Sequence, residues 1–294
     1  MPRPAQAGHS LLHDNRALMK IAVSGGTGFI GQALAARLRE RGDEVLVLPR
    51  NWTAAGDVAS ADAVINLAGE NVAGGRWTAK RKRRILESRL KETDALVNAR
   101  PRALISASAV GFYGPRGDEV LDESANAGSG FLADVTRQWE AAAHRADEFA
   151  RVVIFRFGVV LGRDGGALKQ MMLPFRFGAG GPIGSGRQWM SWVDREDVLR
   201  AIEWAINHPA VRGTYNITAP EPVRNRDFAH ALGRAMHRPS FLPTPGFALR
   251  LVFGEMADEM LLGGQRVVPN RTTREGFSFR YPTLDASLAA NFAR

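Results

Sequence analysis

The feature that most narrows what this chain can fold into is a glycine loop set between a strand and a helix. Ser24–Gly31 reads S-G-G-T-G-F-I-G; it satisfies G-x-G-x-x-G through Gly26, Gly28 and Gly31, and G-x-x-G-x-x-G through Gly25, Gly28 and Gly31. An apolar run, Lys20–Ser24 (KIAVS), leads into it. Ile30, Leu34 and Leu38 then recur at every fourth position, a helical period that Gly42 stops. In a chain with 31 glycines, a bare match also fits a purely structural turn. The placement between strand and helix favours a phosphate cradle. Glycine lets the chain turn tightly and lets a ligand approach the backbone, and the helix start offers free N–H groups and partial positive charge. The residues this reading assigns to a dinucleotide are Gly25, Thr27, Gly28, Phe29, Ile30 and Gly31.

The alternation continues downstream. Glu44–Leu48 (EVLVL), Asp62–Ala68 (DAVINLA), Ala103–Ser106 (ALIS) and Arg151–Phe155 (RVVIF) read as strands. Thr78 stands where it would cap a long helix carrying Leu86, Leu90, Thr93 and Val97 on one face. Leu132, Val135, Trp139 and Ala142 step by three and four, giving another helix. No Asn-Gly-type tight turn joins these runs. The pattern therefore predicts an α/β fold, a doubly wound parallel sheet of Rossmann type with helices on both faces. Beyond about residue 160 the character changes: Gly162–Gly166 and Gly178–Gly186 are glycine-rich, helices are predicted at Arg195–Ile206 and Asp227–Met236, and a strand at Thr214–Thr218. From Phe247 the tail reads as two or three short amphipathic pieces. The expected organisation is a flexible extension (1–18), a dinucleotide-binding domain (19–165, with a later contribution from about 187–218), and a smaller C-terminal, substrate-side domain (166–186 and 219–294).

Composition removes several function classes. The chain has no Cys, so disulfides, thiol nucleophiles and Cys-ligated metals are out. The six His are scattered and none pairs with acids at ligand spacing, so no metal is expected. No stretch approaches the ~20 apolar residues of a membrane span, and residues 1–18 lack the apolar core of a secretory signal. A cytoplasmic protein without a membrane partner is expected. The net charge of +9 draws anions without choosing among them. Lys80–Arg84 (KRKRR) lies on the predicted long helix with Glu87 and Glu92 nearby, which favours a solvated helix face over a nucleic-acid patch. A small molecule is the expected partner, and a homodimer is left open.

A dinucleotide site that takes NAD usually carries Asp or Glu at the end of the second strand, for the ribose 2′-OH. Here that strand ends Leu48-Pro49-Arg50-Asn51, while Asp43 and Glu44 lie at its opposite end. A basic residue in the acid's place suits a 2′-phosphate, so Arg50 reads as an NADP selector. The plain alternative is a solvated loop arginine.

S-G-G-T-G-F-I-G, I-N-L-A-G-E-N (Ile65–Asn71), S-A-S-A-V-G-F-Y-G (Ser106–Gly114) and R-F-G-V-V-L-G (Arg156–Gly162) together resemble an extended short-chain dehydrogenase/reductase. R-W-T (Arg76–Thr78), S-R-L-K-E-T (Ser88–Thr93), G-G-P-I-G-S-G (Gly180–Gly186), W-M-S-W-V (Trp189–Val193) and the tail segment Glu255–Pro269 narrow the resemblance to the atypical, epimerase-like branch with a small C-terminal domain. The resemblance runs from about residue 19 to the C-terminus. It implies NADP as cofactor, with the pyrophosphate on the glycine loop and Arg50 at the adenosine phosphate. It further implies that Leu67, Ala68 and Gly69 pass under the cofactor, that Arg89 reaches back toward it from the long helix, and that Gly158 and Val159 lie beside the nicotinamide end.

The parent superfamily uses Ser with Tyr-x-x-x-Lys on one helix, where the lysine lowers the tyrosine pKa for proton exchange with the substrate oxygen. In Phe131–Glu140 (FLADVTRQWE) the two positions fall on Leu132 and Thr136, so the pair is missing. Ser108 remains, and Tyr113 is the substitute proton donor to test; the alternative is that Tyr113 only packs. Trp189 and Trp192 suit a substrate cleft or the core equally. Two functions follow: an NADP(H)-dependent oxidoreductase or epimerase-like enzyme for a small polar or nucleotide-linked substrate, or a catalytically degenerate NADP-binding sensor or assembly protein.

Overall fold

The computed structural model describes residues 17–53 and 55–293. Most of the expected N-terminal extension, 1–16, lies outside the described residues. Six parallel strands form the central sheet: β1 (Lys20–Ser24), β2 (Glu44–Leu48), β3 (Ala63–Asn66), β4 (Ala103–Ala109), β5 (Arg151–Phe157) and β6 (Gly213–Ile217), in the spatial order β6-β5-β4-β3-β1-β2. The chain turns back across the sheet between β1 and β3. Ser24 stands beside Leu48 on one side and Asn66 on the other. In a doubly wound sheet that switch point, at the carboxyl ends of the strands, is where ligands bind.

Parallel strands are covered on both faces, so their residues are apolar throughout rather than alternating. Ile21, Ala22 and Val23 of β1 are all fully buried, as are Val152–Phe155 of β5. One face packs Ile21, Val23, Ile65 and Phe155 against Leu34 and Leu38 of α1 (Phe29–Glu40) and Val198, Leu199 and Ile202 of α6 (Arg195–Asn207). The other packs Ala22, Val64, Leu104 and Ile154 against Val58 of α2 (Ala55–Ser60), Leu96 and Val97 of α3 (Ala79–Asn98), and Ala143 of α4 (Phe131–His144). The sequence pattern missed α2, a helix of only six residues. Thr78 caps α3 as expected: its hydroxyl accepts from the Arg81 amide at 3.2 Å.

A third apolar cluster joins α5 (Gly166–Arg176), α7 (Asn225–Met236) and α10 (Leu284–Phe292) around fully buried Trp192. Trp192 is therefore core, not cleft. Two buried aspartates tie the tail to the sheet layer. Asp194 caps α6 and accepts from Ser287 (2.6 Å) and Asn291 (2.8 Å) of α10. Asp197 accepts from the amides of Arg280 and Tyr281, while burial pushes its carboxyl above the usual range. The tail also holds α8 (Gly246–Phe253), a π-helical turn (Ala257–Leu262) and α9 (Asn270–Arg274). Against the expected amphipathic pattern, α8 buries no residue. Among the described residues no helix is long and apolar enough to cross a membrane.

Candidate functional site

The glycine loop is shaped by close backbone packing at the switch point. Gly25 has φ 75°, and a Cβ there would sit 2.6 Å from the carbonyl carbon of Leu67 and 2.7 Å from the Ala68 nitrogen. A Cβ at Gly31 would lie 2.3 Å from the Gly25 carbonyl oxygen. The first and third glycines thus let α1 and the Leu67–Ala68 segment close onto the loop. Gly28 differs: it is the N-cap of α1, and its added Cβ would meet little of the protein, the Gly25 oxygen at 3.2 Å. No side chain caps this helix. Its first-turn N–H groups and the helix dipole suit a pyrophosphate. Phe29 instead turns its ring away against Gly162, Gly165 and Gly166, with the Arg195 guanidinium 4.7 Å from its centroid.

The rim beside the glycine loop is built by the end of β2 and by α3. Arg50 is exposed, and its guanidinium makes no hydrogen bond or ion pair among the described residues. The turn it sits in is anchored next door: Asn51 adopts φ 64°, and the Trp52 indole donates to Glu92 on α3 at 2.8 Å. The same Glu92 oxygen accepts the hydroxyl of Ser24, the last residue of β1. Glu92 therefore pins the ends of β1 and of the β2 loop to α3, and leaves Arg50 as a free cation at the rim.

Arg89 of α3 lies against Gly69, three residues beyond the end of β3. Its guanidinium carbon would be 3.0 Å from a Cβ on Gly69, and it donates to the Glu70 and Ile85 carbonyls. Burial pulls its pKa down to about 10, against the opposing charge of Glu70. Among the described residues no carboxylate bonds it directly, which suits the guanidinium to an anion.

The two expected catalytic hydroxyls do come together, but in the interior. Ser108 is 3% exposed and donates to Glu140 at 2.6 Å. Glu140 is clamped by Arg156, Nε at 2.8 Å and Nη2 at 2.7 Å. Arg156 also donates to the Tyr113 hydroxyl (2.9 Å), which donates to Asn216 of β6 (2.8 Å). Tyr113 is fully buried, and burial raises its pKa despite the neighbouring guanidinium. The Tyr113 hydroxyl thus accepts one hydrogen bond, donates another and has no solvent access, an arrangement that suits a strut. Ser108 is likewise committed to Glu140. Of the two readings of Tyr113, proton donor or packing residue, this burial favours packing.

The positions of the missing dyad are filled by groups without acid–base capacity. Leu132 packs toward Gly111, whose added Cβ would lie 3.2 Å from the Leu132 Cβ. Thr136 returns its hydroxyl to the Leu132 carbonyl of its own helix. Gly158 is buried and close-packed: a Cβ there would be 2.7 Å from the Ser191 carbonyl oxygen, which accepts the amide of half-buried Val159. Trp189 is half-buried between the guanidiniums of Arg224 (3.9 Å) and Arg266 (4.6 Å). In the basic run, Arg84 pairs with Glu70 at 2.7 Å, Lys82 pairs with Glu255, and Arg81 donates to the Asn71 carbonyl at 2.6 Å.

Sequence reasoning passed over Glu92, Glu140, Arg156 and Asn216 as site-shaping residues. For three of them a signal was present. Asn216 and Arg156 interrupt apolar strands, and Glu140 falls on the buried face of its helix, places where a polar side chain needs a partner.

Residues 21–218 match the NAD dependent epimerase/dehydratase family, and residues 244–290 match a domain of unknown function, DUF1731. Epimerase family protein Mb2239 of Mycobacterium bovis is 42% identical over 288 residues, covering 91% of this chain and 96% of that protein. Mouse epimerase family protein SDR39U1 is 42% identical over 289 residues, covering 92% and 98%. The crystal structure of human SDR39U1 with NADPH superposes with a TM-score of 0.87 at 38% identity, covering 93% of this chain and 99% of that one.

Proposed function

Because the chain belongs to the NAD dependent epimerase/dehydratase family, we propose that it binds NADP(H) at the glycine loop and acts as an oxidoreductase or epimerase-like enzyme on a small polar or nucleotide-linked molecule. The observation that carries the cofactor choice is Arg50, an unpartnered guanidinium held at the end of β2, where an NAD site has an acid. The human relative crystallised with NADPH supports the same reading. In this reading the first-turn amides of α1 bind the pyrophosphate, Leu67–Gly69 form the floor, Arg89 holds an anionic part of the cofactor from below, and Gly158 and Val159 bound the nicotinamide end. NADPH supplies a hydride when bound. The protein's part is to orient it and to exclude water. We propose a cytoplasmic location for this chain, although the relative from Arabidopsis thaliana is named as chloroplastic.

Calorimetric titration with NADPH and NADH tests the cofactor choice. A charge-assisted phosphate contact contributes about 1.5–3 kcal/mol, so NADPH is expected to bind at least about tenfold tighter, and Arg50→Asp to narrow or reverse the gap. Equal affinities in the unaltered protein refute it. One observation favours a second reading, a cofactor-binding sensor without turnover: Leu132 and Thr136 replace the proton-transfer pair, while Ser108 and Tyr113 are closed off. A screen of carbonyl and sugar substrates at the NADPH absorbance band separates the two.

A further inference from the structure

We infer that the face formed by α8 and the end of α5 is a homodimer interface, seated on the same face of a second copy. Seven large apolar side chains stand exposed on it: Leu173 (43%), Phe177 (85%), Phe241 (76%), Leu242 (50%), Phe247 (73%), Leu251 (77%) and Val252 (59%). Backbone links bring the segments that carry them side by side. The segment after α5 runs beside the one before α8: the Leu242 amide donates to Gly180 (3.2 Å), the Thr244 amide to Pro182 (2.9 Å), and Ile183 bridges to Thr244. Pro245 then starts α8, and Leu262 lies within reach of both Gly184 and Gly246. One side of α8 is fixed to the protein through Phe253, which packs against the buried cluster of Trp77, Ile85, Val135 and Met256, and through Arg76, which donates to the Leu251 carbonyl. Phe247, Ala248, Leu251 and Val252 lie on its other side at helical spacing.

The extent of this face selects its occupant. From about 150–250 Å² for an aromatic side chain, the seven offer on the order of 800 Å², above the usual largest patch of a monomer and near one partner's share of a standard interface. A small substrate covers far less. The rim carries ion pairs of both signs, Arg250–Asp258 at 2.8 Å and Lys82–Glu255. An apolar centre with a polar, charge-balanced rim is the pattern of a protein interface, and the carboxylates disfavour an anionic bilayer. An apolar face needs no complementary charge to meet its own copy, which is the condition for a two-fold contact.

Sedimentation equilibrium of the full chain across the micromolar range tests this, with NADPH affinity measured in parallel to separate it from the cofactor reading. The unaltered protein is expected to be a dimer. Leu251→Asp and, separately, Phe177→Asp should each weaken self-association by at least about thirtyfold, as for a central interface residue, with NADPH affinity unchanged. Both side chains are mostly exposed, so neither change disturbs the monomer. A monomer throughout the range overturns the inference, as does a dimer that survives both substitutions. A monomer whose variants lose turnover or vesicle binding also overturns it, in favour of a substrate wall or a membrane contact.

Discussion

Replacing Glu140 with Gln tests whether the buried network is held by charge. Glu140 and Arg156 are 6% and 5% exposed, and the carboxylate takes three hydrogen bonds, one from Ser108 and two from Arg156. Gln keeps the shape but turns one of the two oxygens into an N–H₂ facing guanidinium N–H groups. It also leaves Arg156 charged and buried without a counter-ion. Burial alone would depress the Arg156 pKa, and Glu140 more than offsets it, so the arginine stays protonated. Breaking one side of a buried pair costs about 3–5 kcal/mol. In a chain of this size that lowers the melting temperature by on the order of 10 °C. Urea unfolding and thermal melts followed by circular dichroism read both quantities. The double variant Glu140→Leu, Arg156→Met removes both charges and should recover a substantial part of the loss. If Glu140→Gln unfolds within about 1 kcal/mol of the unaltered protein, the charge argument fails.

Tyr113→Phe should cost about 1–3 kcal/mol in unfolding free energy, because the change leaves Asn216 and Arg156 short of a partner; a turnover loss with unchanged stability would restore the proton-donor role. Gly31→Ala places a methyl group 2.3 Å from the Gly25 oxygen; calorimetry should show NADPH affinity reduced by at least about tenfold as the loop shifts. Glu275 accepts from Tyr215 (2.6 Å) and Arg271 (2.7 Å), and these contacts outweigh burial and hold its carboxyl below the usual range. A depressed pKa means its stabilisation is present above the unfolded carboxylate pKa and fades as pH falls through the folded one. The melting-temperature gap between Glu275→Gln and the unaltered protein should therefore be full at neutral pH and close below about pH 4.

The sheet was legible because its cause is local: each parallel strand is a short apolar run, and Lys20–Ser24 and Glu44–Leu48 have the predicted ends. The third strand is shorter than Asp62–Ala68 because Leu67–Ala68 leaves the ladder to pack on Gly25, a long-range contact that no period reveals. The burial of Tyr113 was not legible for a related reason. Glycines on either side suggest freedom, but the ring's position is decided by Arg156 and Asn216, tens of residues downstream. The exposed position of Arg50 was readable because it is fixed by the end of one strand. Nothing in the spacing of α8 announces an exposed face, since its residues are as apolar as those of a core helix.

The two aspartates that fasten the tail have a consequence for how the chain matures on the ribosome. Synthesis delivers the sheet strands first, and domains begin to organise as they emerge. Asp194 nevertheless waits for Ser287 and Asn291, and Asp197 for the amides of Arg280 and Tyr281. Until those residues have emerged, two carboxylates destined for the interior lack most of the donors that make burial tolerable. Stable closure of the sheet layer around α6 therefore requires residues 280–291 to be in place.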